Sequence, residues 1–266
     1  MKFNVSTFIF FLAWLAVSGA QGQTKYFSDP QKLSYLSIQV LRGNVIVVGT
    51  SDSSVTTNLG LWPSELTKDL IAKGFSRSRK QSRRRAEFSM RESENKMNLD
   101  FTAGALNETL YVKVPRTSNL KLVVSGAGSV VVQGTEGEID VECLQGKIFL
   151  DRIRGPVVAH TLNQSLEARF SALVPGKPNF LSSLNGDVRL FLPKDSDVSF
   201  ELDFFNGEVV TSMPITLLPL AKGKTPQKKR DFEAPSTAET ARKATHFQIK
   251  THNGNIHIDN YHESHE

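Results

Sequence analysis

The sequence predicts an all-β fold: a single-stranded β-solenoid, β-helix-like, of short strands and glycine turns, with a small helical and basic insertion. Three observations predict it. First, Gly128, Gly137, Gly146 and Gly155 recur every nine residues, and each stands two positions before an apolar pair: Val130/Val132, Ile139/Val141, Ile148/Leu150 and Val157/Ala159. A fifth copy, Leu166/Ala168, follows Gln164 in place of a glycine. Apolar residues two apart have the period of a strand with one buried face. Second, two copies close a coil every eighteen residues, which stacks Val130, Ile148 and Leu166 in one layer and Ile139 and Val157 in the facing one. Third, longer copies follow Asn-Gly pairs, which suit positive φ: Asn185-Gly186 before Val188 and Leu190, Asn206-Gly207 before Val209, and Asn253-Gly254 before Ile256 and Ile258. An antiparallel β-sandwich with glycine hairpins is the competing fold, but it gives no reason for constant spacing.

Each rung of such a coil buries three or four aliphatic side chains, at about 1.5–3 kcal/mol for each one fully buried. No rung is stable alone, so stacking supplies the core. Leu144, Ile153 and Leu162, four residues before the next apolar strand position, are expected to plug the corners, with Leu184 and Phe205 as their later equivalents.

In chain order, residues 1–20 read as a secretory signal peptide: Lys2, then an apolar run from Phe8 to Val17, then small residues ending at Ala20. Cleavage near Ala20 would export the protein to the periplasm, the outer cell surface or the medium. No transmembrane span is expected in the mature protein, because the apolar run is too short. Residues 21–266 are read as one domain. Leu36 to Val40 and Val45 to Val47 are the first predicted strands, and residues 51–62 are polar with a Trp-Pro break. Residues 63–90 form a helical, Arg-rich insertion: Ser64 is an N-cap candidate, with apolar residues at Leu66, Leu70 and Ile71 before Gly74. Alternation returns at Met97, Leu99 and Phe101 and at Leu110, Val112 and Val114, where Pro115 ends the strand. Residues 219–245, rich in Lys, Pro, Thr and Ala, read as a surface loop. The open ends need covering, and the N-terminal strands and the Asn253–Ile258 copy are the expected caps. Cys143, the single cysteine, excludes an intrachain disulfide and continues the Ile139/Val141 alternation as a small core residue.

Val114-Pro115 followed by Leu120 and Leu122, the Gly-x-Ile-x-Val copies, Ser182 to Asp187 leading to Leu192-Pro193, and the closing Thr251 to Ile256 together resemble the bacterial putative-adhesin domain family. The resemblance covers roughly residues 35–260 outside the two basic excursions. It implies a secreted or envelope-associated β-solenoid of unknown molecular function, with no catalytic residues to carry across.

Charge is the one signal that is not structural. Lys73 to Arg85 carries seven basic residues and Lys222 to Arg230 five, neither with an acid; with these and Lys2 set aside, 19 of the 32 basic residues face 27 acidic ones. A basic pI therefore comes from two excursions on an acidic body. The functional reading is a patch of Arg77, Arg79, Lys80, Arg83, Arg84 and Arg85 for an anionic partner such as lipopolysaccharide, an acidic envelope glycan or phospholipid headgroups. The plain alternative is a solvated loop folded onto that acidic body. Another envelope protein is a further candidate partner. No nucleic acid is expected, since no aromatic residues interleave with the arginines. His246, His252, His257, His262 and His265 crowd the C-terminus, but their spacing matches no metal-ligand motif, and a surface tail is expected. No cofactor is implied.

Parallel β-helices host carbohydrate-active enzymes, and Asp187, Arg189, Glu201, Asp203 and Glu208 are outward candidates here. Charges facing water on alternating strands are, however, what any half-buried strand shows, and no nucleophile elbow, phosphate loop or metal motif is present. The expected function is non-catalytic: an adhesin-like binding or structural module. A carbohydrate-active enzyme and an envelope-stress sensor are the alternatives.

Overall fold

The period-two pattern predicts strands, and strands are what the computed structural model contains. It describes residues 22–59, 86–104, 108–214, 216–217, 229–233 and 244–261. Among them there is no helix, and the strands form two mixed sheets. One sheet runs in the order β1 (Gln23–Tyr26), β4 (Ser54–Leu59), β7 (Thr109–Pro115), β3 (Asn44–Thr50), β9 (Val130–Gln133), β11 (Ile148–Ile153), β13 (Leu166–Phe170), β15 (Val188–Leu192), β21 (Ile256–Asn260), β17 (Val209–Thr211). The other runs β18 (Thr216–Leu217), β19 (Lys229–Glu233), β16 (Val198–Asn206), β20 (Thr245–Asn253), β14 (Asn179–Ser183), β12 (Val157–Thr161), β10 (Ile139–Cys143), β8 (Asn119–Val124), β2 (Tyr35–Arg42), β6 (Lys96–Thr102), β5 (Glu87–Ser93).

From β8 to β15 consecutive strands alternate between the sheets; β8 and β9 pair in parallel with β2 and β3, and each of β10 to β15 pairs in parallel with the strand two before it. Ile148 lies between Val130 and Leu166 in register, and Ile139 lies between Leu120 and Val157. These are the stacks that the eighteen-residue spacing predicts. Parallel registers replace the hairpins that an antiparallel sandwich requires.

The inward residues of the two sheets meet in one apolar cluster, with Leu36, Val45, Leu120, Val130, Ile139, Ile148, Val157, Leu166 and Val188 all buried. Late in the chain aromatic rings take over: Phe247 meets Phe170 edge-on at 5.5 Å between centroids and Phe200 at 5.9 Å. A second buried cluster, Ile46, Tyr111, Val131 and Phe149, belongs to alternate positions of β3, β7, β9 and β11. It therefore lies on the outer side of the ten-stranded sheet, where alternation leads one to expect polar residues.

The turns follow from close backbone approach. A Cβ on Gly128 would lie 1.9 Å from the carbonyl oxygen of Gly43, and one on Gly146 only 1.6 Å from that of Gly128. Side chains complete the turns by accepting backbone N–H groups of the next rung. Asn44 Oδ1 accepts from Ser129, Asn119 Oδ1 from Glu138 and Asp187 Oδ1 from Asn255, each at 2.9 Å.

Several expectations need correction. The Asn253–Ile258 copy caps nothing: β20 lies between β14 and β16, and β21 between β15 and β17. The chain runs past that rung to form β16 and β17 and then returns. The first predicted strands do not cap either, since β2 lies between β8 and β6 and β3 between β7 and β9; the edge strands at that end are β1 and β5, antiparallel to β4 and β6, and Lys25 Nζ donates to the Met90 carbonyl at 2.6 Å. Within the span expected to be a surface loop, Lys229–Glu233 forms β19, antiparallel to β16. Within the span expected to be a helical insertion, the segment from Glu87 onward is β5. Residues 1–21, the segment Ser64 to Gly74, and His262 and His265 lie outside the described residues.

Candidate functional site

The outward positions of the eleven-stranded sheet form two rows across the parallel strands. One row passes through Ser37, Lys121, Asp140, Val158, Phe180, Gln248 and Glu201; the next passes through Gln39, Val123, Glu142, His160, Ser182, Lys250 and Asp203. Parallel strands stand about 4.8 Å apart, so row neighbours are within contact of one another. Lys121 pairs with Asp140 at 3.1 Å, His160 Nδ1 and the Ser182 hydroxyl share a 2.7 Å hydrogen bond, and Gln248 Nε2 donates to Glu201 Oε1 at 2.9 Å. A shallow groove of about 460 Å³ lies over the start of these strands, with Tyr35, Pro156, Val158, Pro178 and Phe180 as its apolar surface. Lys177 and Glu138 face each other on its wall at 3.8 Å. A second groove, of about 320 Å³, lies at the other end of the same strands, against Leu162, Leu184, Phe205 and His252.

The corner beyond this second groove differs from expectation. Ile153 is buried, as are Phe170 and Leu192 at the ends of the neighbouring strands of its sheet, so that corner is plugged. Leu144 and Leu162 are only half-buried, and Leu184 and Phe205 are 44% and 57% exposed. The side chains just after β10, β12 and β14 and near the ends of β20 and β16 thus form an outward ridge instead of a plug. Phe205 and His252 stack with their planes 3° apart and their centroids 4.9 Å apart. Beside the ridge runs an amide ladder: Asn185 donates to Asn163 at 3.0 Å, Asn253 to Asn185 at 2.7 Å and Asn206 to Asn253 at 2.8 Å.

On the ten-stranded sheet, the Arg169 guanidinium lies 5.5 Å from the Phe149 ring centre and 5.0 Å from that of Phe191, and it binds Glu167 at 2.7 Å. Cation–π contact closes the outer apolar cluster at this edge.

The sequence-level candidates scatter over this framework. Asp187 and Arg189, 3.5 Å apart, belong to the ten-stranded sheet side, whereas Glu201 and Asp203 lie on β16 in the other sheet. Glu208 stands at a turn, its N–H donating to Asn255 Oδ1. His246 shares a 3.0 Å hydrogen bond with Ser199, His252 stacks on Phe205, and His257 lies on β21 of the opposite sheet. Among the described residues no group of three His, Cys, Asp or Glu side chains could hold a metal ion. Cys143 lies in the core and donates to the Gly128 carbonyl at 3.2 Å; burial pushes its thiol up from 9.0 to about 11 against smaller opposing backbone hydrogen bonds. The patch of Arg77, Arg79, Lys80, Arg83, Arg84 and Arg85 lies outside the described residues. The ridge has a signal in the sequence that its reading as a plug passed over. Leu144-Gln145, Leu162-Asn163, Leu184-Asn185, Phe205-Asn206 and His252-Asn253 repeat one apolar-or-aromatic/amide dipeptide.

Among the described residues no helix is long and apolar enough to cross a membrane. No family model matches the chain, and no curated protein matches it. Two solved structures are similar over most of their length. A putative cell adhesion protein from Clostridium sporogenes is 9% identical at a TM-score of 0.43, covering 91% of this chain and 99% of that one. A putative adhesin from Bacteroides fragilis is 9% identical at a TM-score of 0.37, covering 90% and 98%.

Proposed function

We propose that this chain is an exported, non-catalytic β-solenoid module of the bacterial envelope that works by adhesin-like binding or as a structural element. The observation that carries the reading is the placement of its polar groups. Apart from buried polar side chains such as Gln133, Asp151 and Thr161, they lie in open rows and shallow grooves on outer faces, while the interior is filled mainly with aliphatic and aromatic side chains. Alternation of parallel strands between two sheets at an eighteen-residue interval supports the coil. The apolar run before Ala20 supports export, and the carboxylates named above, divided between two sheets, support a role without catalysis.

The partner class that charge suggests is anionic, held by Arg77, Arg79, Lys80, Arg83, Arg84 and Arg85. The test expresses the whole chain in a Gram-negative bacterium, fractionates the cells, and measures binding of the purified mature protein to isolated envelopes, lipopolysaccharide and anionic liposomes at two salt concentrations. Export with envelope binding is expected. Salt-sensitive binding that disappears when the six basic residues are neutralised would assign the arginine segment as the working site. Retention in the cytoplasm, or absence of binding to envelopes, would contradict the reading.

A further inference from the structure

From the ridge and its neighbouring ladder we infer a linear binding strip for an uncharged polysaccharide running along the coil axis, across the strands; this rests on the binding-module reading above and adds a second site, with a ligand class distinct from the anionic one of the arginine segment. Five ranks follow the strand order β10, β12, β14, β20, β16: Leu144 with Gln145, Leu162 with Asn163, Leu184 with Asn185, His252 with Asn253, and Phe205 with Asn206. The register pairs Cys143 with Thr161, Ser183 with Thr251 and Thr251 with Phe204, which places the following residues side by side. Four steps of about 4.8 Å give a strip about 19 Å long.

Each rank presents an apolar or aromatic surface next to an amide. The amides contribute to the fold through the ladder, but Leu184 and Phe205 leave much of their surface in water. Large apolar side chains in a contiguous exposed row mark an interaction site. An asparagine side chain has two N–H donors and two acceptor lone pairs, and each interior ladder member uses one of each within the ladder. One donor and one acceptor therefore remain at each interior step. A sugar chain offers the matching chemistry, with C–H faces for leucine and stacked rings and hydroxyls that both donate and accept.

Charge decides the class of polymer. No Asp, Glu, Lys or Arg occupies any of the ten positions, in a chain whose residues are 22% charged. In the adjacent outward row Lys250 and Asp203 are register partners and Glu142 is a further carboxylate, so the flank of the strip is acidic on balance. Such a strip gives an anionic polymer no attraction, and burying an unpaired charge against it is unfavourable. An uncharged chain meets neither obstacle. Five repeated ranks in place of an enclosed pocket suit a repeating ligand of many units.

The test measures binding of the mature protein to cellulose and chitin particles and to soluble β-glucan at low and high salt, beside Leu184→Ser, Phe205→Ser and the double variant, with thermal melting to confirm the fold. Both side chains are exposed, so melting should be unchanged. The strip predicts salt-independent binding to at least one of these probes, weakened about tenfold or more in the double variant, as for a well-placed apolar contact. Wild-type binding that the folded double variant retains would overturn the strip, as would no binding to any probe or a concentration-dependent dimer that the double variant abolishes. Envelope binding with all three uncharged probes negative would refute this inference and leave the binding-module reading standing; loss of envelope binding as well would remove both.

Discussion

Cys143 shows how burial fixes the chemistry of a single side chain. Its thiol lies in the core with its S–H on the Gly128 carbonyl, and desolvation of the thiolate holds its pKa near 11. The folded value is above the ordinary 9.0, so folding is favoured fully below pH 9, and that contribution is lost as pH rises from about 9 to about 11. Melting temperatures measured across that window should fall less steeply for Cys143→Ala than for the parent chain. Equal slopes would mean that the thiol does not titrate with unfolding. The residue was legible in the sequence because it continues an alternation. Leu184 and Phe205 were not: their spacing equals that of Ile153, yet Ile153 is carried inward past a bulge between Leu150 and Ile153, where Arg152 adopts φ 49°.

At the scale of the element, the turn glycines set how closely rungs can stack. A Cβ on Gly146 would lie 1.6 Å from the Gly128 oxygen, and the obstacle is backbone, which cannot move aside as a side chain can. Gly146→Ala should therefore cost about 2 kcal/mol or more, read from urea midpoints, because inserting atoms into a filled site forces backbone shifts. Gly176 is the contrast: its φ is +71°, but nothing lies within 4 Å of the place a Cβ would take, so Gly176→Ala meets only conformational strain, about 1–2 kcal/mol. A smaller loss at Gly146 than at Gly176 would show that rung spacing is looser than described. The strands of the repeats could be read from sequence because their inner face is uniformly apolar. β4 could not: Ser54–Leu59 is mostly polar and is a strand because its backbone pairs with β7 and β1 and because Val55 and Thr57 turn inward.

For the whole molecule, the central claim is that residues eighteen or so apart stack in parallel register and fill the interior. Sequence periodicity carried that claim for β9 to β13, where spacing is constant. It could not show that β20 and β21 lie between earlier rungs, because an alternating pattern tells which face a strand buries and not which strands it pairs with. The outer apolar cluster of Ile46, Tyr111, Val131 and Phe149 was hidden for a related reason: on those strands both faces are buried, and a continuous apolar run carries no period. The most direct test is a cysteine trap on the outer face in a Cys143→Ser background. Lys121 and Asp140 are register partners on β8 and β10, and a Cα separation of about 4.8 Å lies within disulfide range. Lys121→Cys with Asp140→Cys should cross-link under mild oxidation, and Lys121→Cys with Glu142→Cys, two residues out of register on the same face, should do so far less. Efficient cross-linking of the second pair with none of the first would contradict the parallel stack and the faces built on it.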